Sequence, residues 1–268
     1  MTDKTSSNTA MPDVQGYTDS RRVDITRVGI KSIRSPVIVR DKSTAQHSVA
    51  TFSLAVFLPQ DLKGTHMSRF TQLLNDFREF EITAGSIKEV QAEMLKRLES
   101  TSGTITLAFP YFIDKKAPVT GQSGMLDYNI TLQSDTHTDG STEVTVKTGI
   151  PVTTLCPCSK EISQYGAHSQ RSVISVNALL QDQHNFYWED LITSAEEQAS
   201  AQLYSQLKRA DEKFVTEQAY DNPRVVEDLI REVATVLNTN NNIKSYELEV
   251  ENFESIHNHS AWAQIIRS

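Results

Sequence analysis

The chain has 268 residues, 38% hydrophobic and 22% charged, with a formal net charge of −8. That composition supports a globular core and excludes a broad, sequence-independent nucleic-acid surface, while a small anion at a local basic site stays open. Two cysteines exclude a disulfide framework and fit a reducing cytoplasm, and no apolar run has the length of a signal-peptide core or a membrane span.

Residues 1–20 are polar and read as a flexible N-terminal arm. From Val23 to Arg40 the chain is rich in β-branched residues and alternates, with Pro36 marking an edge or bulge. A second strand runs from Ser48 to Leu58. Met67, Phe70, Leu73, Leu74 and Phe77 then mark one helix face. A second helix is predicted from Ser86, with Glu89 three residues on completing a capping box. Two strands follow, Thr104 to Phe112 and Met125 to Gln133, joined by the loop DKKAPVTGQSG.

The second half repeats that order. Strands are predicted from Glu143 to Leu155 and from Arg171 to Leu180, and a long helix from Trp188 to Lys208. Asn222-Pro223 reads as the cap and first residue of the next helix, whose stripe is Val226, Leu229, Ile230, Val233 and Leu237. Strands Tyr246 to Phe253 and Ala261 to Ile266 close the chain. Each half is strand-strand-helix-helix-strand-strand, a repeat of element order and not of residue identity. The expected fold class is α+β: two similar modules, 21–137 and 138–268, each an antiparallel sheet with two helices packed on one face. Such sheets leave edges to be paired, so side-by-side assembly into a larger barrel or ring is expected.

Both cysteines lie in the stretch Thr154-Leu155-Cys156-Pro157-Cys158-Ser159-Lys160. In extended backbone Cys156 and Cys158 share a face, and Pro157 stiffens their presentation. A disulfide across one residue would be strained. Two readings stay open on spacing alone: thiolate or metal chemistry, and a pair of small buried hydrophobes. Polar clusters interrupt the core pattern elsewhere, at Tyr165–Arg171, at Lys208–Lys213 and at Glu254–Ser260. Together they offer thiolate, imidazole and carboxylate, a donor mix suited to zinc or another late first-row divalent ion. No sequential zinc motif is present. Lys63-Gly64-Thr65-His66-Met67-Ser68-Arg69-Phe70 precedes a helix and could suit an anion, although an ordinary capped helix start with solvated charges is the simpler reading of these residues alone.

Taken together, KGTHMSRF, LCPCSK, GAHSQRS, KRADEKFVTEQAYDNPRVVEDLIR and ESIHNHSAWA resemble the type IB GTP cyclohydrolase I family of prokaryotes. The resemblance covers nearly all of the chain beyond residue 20. It implies tandem tunnelling-fold modules, in agreement with the repeat above, assembled as a cytoplasmic homotetramer with sites at subunit interfaces. The implied reaction is hydrolytic opening of the guanine imidazole ring of GTP, giving 7,8-dihydroneopterin triphosphate and formate, the first step of folate biosynthesis. One divalent ion per site, zinc or manganese, would activate the water.

By the same resemblance, Cys156, His168, Glu212 and His257 form the metal set. Cys158 is a catalytic thiol beside carbon 8 or the ribose, and His259 an acid/base group. Glu227 or Glu254 accepts hydrogen bonds from the guanine edge. Lys63, His66, Ser68 and Arg69 contact the triphosphate, reaching a neighbouring subunit's site. No membrane or nucleic-acid partner is implied. Two rivals remain. One is the tunnelling-fold nitrile reductase, with a cysteine nucleophile and NADPH, against which the histidines of ESIHNH count. The other is a non-catalytic module in which Cys156 and Cys158 hold a structural ion.

Overall fold

Alternation of apolar and polar residues gives this chain unusually long strands, and their order fixes everything that follows. The structure, a computed structural model, describes residues 13–42 and 44–268. The first half holds β1 (Ile25–Arg40), β2 (Ala45–Leu58), α1 (Met67–Asp76), the two-residue β3 (Glu81–Ile82), α2 (Ile87–Leu98), β4 (Gly103–Lys116) and β5 (Ser123–Thr136). The second holds β6 (Thr142–Leu155), α3 (Pro157–Ile162), β7 (Ser169–Leu180), α4 (Trp188–Glu196), α5 (Arg209–Asp221), α6 (Val226–Thr239), β8 (Ile243–Asn252) and β9 (Ala261–Arg267). All nine strands form one sheet in the order β3-β1-β2-β4-β5-β6-β7-β8-β9. Every pairing is antiparallel except the short contact of β3 with β1.

One face of the sheet is the core. Along β7 every second residue from Gln170 to Leu180 is buried. The same rhythm buries Leu107, Phe109 and Tyr111 on β4 and Leu248 and Val250 on β8. Helical side chains cover this face: Phe70, Leu73, Ile87 and Met94 in the first half, Trp188, Leu191, Leu229, Val233 and Leu237 in the second. Each fully buried side chain of this size contributes about 1.5–3 kcal/mol relative to exposure. Trp188 meets Phe109 and Tyr111 edge-on, at 5.9 and 5.5 Å between ring centroids. The opposite face carries polar residues, among them Lys147, Ser175, Asn177, Glu247 and Glu249. The α+β class with helices on one face of an antiparallel sheet is therefore observed, with α4, α5 and α6 in the second half where two helices were expected.

The halves meet where β5 pairs with β6, from Ile130↔Thr148 to Thr136↔Thr142. Beyond Ile130 and Thr148 the two strands continue without pairing to each other, and the segment 197–208 enters between them. Ala201 bridges Thr153 through two backbone hydrogen bonds, at 3.0 and 3.2 Å. Ser200 Oγ accepts the Leu155 N–H at 3.1 Å. On the β5 side a Cβ at Gly124 would lie 2.4 Å from Ser205 Oγ, so the segment packs closely against the strand there and a larger residue would displace the Ser205 side chain.

Helix α4 spans both halves. Its first N–H groups, at Trp188 and Glu189, donate to the Asp41 carboxylate of the β1–β2 turn at 3.1 and 2.8 Å. At its other end Glu196 accepts from Tyr128 Oη (2.6 Å) and pairs with Lys115 (2.7 Å).

Four local expectations are corrected. The helix predicted from Trp188 to Lys208 stops at Glu196, because the next residues are drawn into the fork between β5 and β6. Residues 209–221, left between the two predicted helices, form α5, and the Lys208–Lys213 cluster opens it. Asp211 fixes that start, accepting the N–H groups of Lys208, Val119 and Thr120 (each 2.9 Å) and the Thr120 hydroxyl (2.8 Å). Asn222 ends α5 and donates from Nδ2 to Ala199 C=O at 2.9 Å, so α6 begins only at Val226. Ser86 does not cap Glu89; its N–H and hydroxyl are engaged reciprocally with Thr83 at 2.9 Å, which moves the capping box three residues earlier.

The expected mobile arm lies mainly in residues 1–12, outside the described residues. From Asp13 onward the chain runs beside 61–66: Lys63 N–H donates to Tyr17 C=O and Gly64 N–H to Gln15 C=O, at 2.9 and 3.2 Å. Pro36 sits in a part of β1 whose outer side carries no strand among the described residues, a position that tolerates its missing N–H. Among the described residues no helix is long and apolar enough to cross a membrane.

Candidate active site

Strand register places four chain segments at one end of the sheet. The pairs Arg40↔Ala45, Lys116↔Ser123, Leu155↔Ser169 and Asn252↔Ala261 close the β1–β2, β4–β5, β6–β7 and β8–β9 connections there. The cysteine stretch, the His168 cluster and the Glu254–Ser260 cluster therefore gather at this end.

Cys156 is the first residue past β6 and the N-cap of α3, with Sγ receiving the Ser159 N–H at 3.4 Å. Pro157 starts the helix with a preset φ and no N–H to satisfy. The turn that follows brings His168 back beside Cys156. Cys156 N–H donates to His168 C=O (3.1 Å), His168 N–H donates to Ser159 Oγ (3.2 Å), and Ser159 Oγ donates to Cys156 C=O (3.0 Å). Twelve residues apart in sequence, thiol and imidazole thus leave from one hydrogen-bonded knot. Cys158, on the second residue of α3, is exposed, and both cysteines are free.

The His168 ring is mostly buried. Nδ1 lies 2.9 Å from Gln170 Oε1, and Nε2 lies 4.0 Å from Glu254 Oε2. Glu254 begins the β8–β9 connection, which also presents His257 and His259. Their rings stack at 5.0 Å and 21° and are exposed to solvent. Glu227 is exposed in the first turn of α6, and Glu212 is exposed in the first turn of α5. Next to Glu212, the Asp211 carboxyl is buried, which pushes its pKa up. Its hydrogen bonds from Thr120, Lys208 and Val119 outweigh that and hold it well below the usual carboxylate range.

One chain therefore brings together Cys156, His168 and Glu254, with His257 and His259 on the adjoining loop. It does not close a complete set: among the described residues no three His, Cys, Asp or Glu side chains form a group that holds a metal ion. The donor types themselves fit a late first-row divalent ion: Cys156 and His168 are joined through their backbones, and Glu254 lies 4.0 Å from the His168 ring.

The first-half anion candidates lie elsewhere. The segment from Lys63 to Arg69 follows β2, whose end pairs near Gly103 at the opposite end of the sheet. Lys63 stands over the Tyr17 ring at 5.9 Å, and His66 faces Asp13 at 3.5 Å. Arg69 is tied to Arg97 C=O (2.7 Å) and Glu99 (3.1 Å), while Ser68 is exposed. Within one chain these four do not reach the cysteine end.

Two residues escaped the sequence reading. Gln170 stands two positions after His168 on extended backbone, a spacing that places both on one face. Arg224 donates its N–H to Leu155 C=O (2.9 Å), beside Cys156, and its Nε is buried without a partner. Nothing in the local pattern of Asn222-Pro223-Arg224 signals that placement.

Comparison with known proteins identifies the family. The family model described as type I GTP cyclohydrolase folE2 matches residues 11–263. A relative from Azoarcus sp. (strain BH72), named GTP cyclohydrolase FolE2, is 52% identical over 259 residues, covering 96% of this chain and 95% of its own. Its namesakes from Aromatoleum aromaticum and Methylobacillus flagellatus are 53% and 52% identical, covering 96% and 94% of this chain and 93% and 94% of their own. Among solved structures, the uricase from Arthrobacter globiformis aligns with a TM-score of 0.51 at 9% identity, over 90% of this chain and 93% of that one. That likeness shows the shared tunnelling fold and nothing about chemistry. With a matching family model across almost its whole length and relatives above 50% identity, the chain belongs to the type I GTP cyclohydrolase FolE2 family.

Proposed function

We propose that this protein is a GTP cyclohydrolase I. It opens the guanine imidazole ring of GTP with water, releases carbon 8 as formate and yields 7,8-dihydroneopterin triphosphate, the first step of folate biosynthesis. The observation that carries the reading is 52% identity over 96% of the chain to a protein named for that activity. The cysteine end of the sheet supplies residues of the right chemistry. Its working state is a homo-oligomer, a tetramer, in the cytoplasm. Among the described residues, the outer side of β1 before its short pairing with β3 and the outer side of β9 carry no strand, which supports assembly, since open edges of long strands invite pairing.

A single divalent ion, zinc or manganese, would be held by Cys156, His168, Glu212 and His257. When bound it supplies Lewis acidity and lowers the pKa of water near carbon 8. Glu212 and His257 are exposed in one chain, which leaves them free to complete the set on assembly. Cys158 is exposed on the first turn of α3 and serves as the thiol that touches the substrate. His259, stacked on His257, moves protons during ring opening and reclosure. Glu254 or Glu227 accepts hydrogen bonds from the guanine edge. Lys63, His66, Ser68 and Arg69 bind the triphosphate of a neighbouring subunit's site, in keeping with their place at the far end of the sheet.

The test is GTP labelled at carbon 8, incubated with the purified protein and added manganese or zinc. Label recovered in formate supports the reading. Label retained in unchanged GTP excludes ring opening, and label retained in a ring-opened nucleotide excludes the release of formate.

A further inference from the structure

We infer that Gln170 is a positioning residue that holds the His168 imidazole in its Nδ1-protonated tautomer and leaves the Nε2 lone pair facing the candidate site. It deepens the metal reading above and rests on that reading only for what the lone pair binds.

A neutral imidazole carries one N–H and one lone pair, and the partner of one nitrogen decides the state of the other. Here the backbone of His168 is already fixed on both sides, its N–H on Ser159 Oγ and its C=O on the Cys156 N–H. The ring is then oriented by one hydrogen bond, between Nδ1 and Gln170 Oε1 at 2.9 Å. An amide oxygen accepts and cannot donate, so the proton must sit on Nδ1. Nε2, at 4.0 Å from Glu254 Oε2, is too far for a hydrogen bond and stays unengaged.

The Gln170 amide turns its oxygen to His168 and its nitrogen to Thr154. Gln170 is only 7% exposed. Its Nε2 donates to Thr154 Oγ1 at 2.9 Å, and Thr154 Oγ1 lies 2.8 Å from Ser172 Oγ, both hydroxyls being fully buried. Donation thus runs from His168 through the Gln170 amide to Thr154 Oγ1, which shares a buried contact with the Ser172 hydroxyl. The reversed amide would donate to Nδ1 and put the proton on His168 Nε2.

The test compares wild type, Gln170→Leu and Gln170→Glu. Solid-state 15N spectra of the metal-free, histidine-labelled protein read the tautomer, with His168 assigned by its loss in His168→Asn. Wild type should show Nδ1–H and a bare Nε2. Gln170→Glu, which keeps an acceptor, should retain that state, and Gln170→Leu should lose it. Affinity for manganese or zinc alone, measured by chelator competition, should fall about 10–100-fold in Gln170→Leu and recover in Gln170→Glu. An Nε2–H tautomer in wild type, or an unchanged tautomer in Gln170→Leu, would overturn the inference; if Gln170→Leu does not fold, wild type and Gln170→Glu still decide it. Expected tautomers combined with metal affinity that is indifferent to His168→Asn would uphold the positioning role and instead refute the ligand reading.

Discussion

Lys115 and Glu196 form an ion pair between the two halves of the chain, Nζ to Oε2 at 2.7 Å, with side chains 9% and 3% exposed. Tyr128 donates to the other carboxylate oxygen, and the ring of Tyr204 lies 5.1 Å from the ammonium. The pair sits where α4 ends and the fork between β5 and β6 begins, so it anchors the segment that leads to the active-site end. Removing one partner leaves a buried charge unpaired. Glu196→Ala should lower unfolding free energy by about 3–5 kcal/mol in urea titrations at pH 7. The double variant Lys115→Met/Glu196→Leu should lose much less. Equal losses in both would mean that packing of the fork, and not the unpaired charge, is what Glu196 supplies.

Asp41 makes stability depend on pH in a direction opposite to most carboxylates. Burial pushes its pKa up to about 7 from 3.8, helped by the charges of Glu189 and Asp190 and only partly opposed by the N–H groups of Glu189 and Trp188. With the folded value above the unfolded one, the folded state binds the extra proton between those two values. The contribution is therefore full below about pH 4 and is lost as pH rises through 7. Asp41→Asn mimics the protonated acid, so its stability relative to wild type should rise steadily between pH 4.5 and 7. A difference that is flat across that range would show that Asp41 is ionised in the folded protein throughout.

The two cysteines should separate in function. Cys158→Ala should keep its metal and lose turnover by about 10²–10⁴-fold, the scale of one proton-transfer or nucleophilic group. Cys156→Ala should lose metal and turnover together. Metal content by elemental analysis, read beside GTP turnover, distinguishes them; loss of metal from Cys158→Ala would exchange the roles.

Much of this was legible in the residues. The alternation of β7 and the stripe of α6 are set by burial of one face, and local period reports that directly. The helix ending at Glu196 was not legible, because what stops it is the pairing of the following segment, through Ala201, with Thr153 on a distant strand. Asn222-Pro223 carries a strong local cap signal, but Ala199 C=O claims the asparagine side chain. At the site, Cys156 and His168 were identifiable by residue type, while their shared hydrogen bonds depend on the tight return through α3. The proposed metal set with Glu212 and His257 is no property of local sequence, and among the described residues one chain's side chains do not form it.

If Lys63, His66, Ser68 and Arg69 serve a neighbour's site, inactive chains should complement each other. Lys63→Ala and Cys158→Ala proteins, unfolded together and reassembled, should regain GTP turnover that neither has alone. Failure of mixed oligomers to recover any activity would place triphosphate binding within one chain.

The most direct test is GTP turnover by metal-stripped protein beside the same protein resupplied with manganese or zinc, with formate and 7,8-dihydroneopterin triphosphate both quantified. Equimolar formate and pterin product only after resupply is the expected result. Equal rates in the stripped protein, or turnover of GTP without formate, would contradict the metal-dependent cyclohydrolase reading.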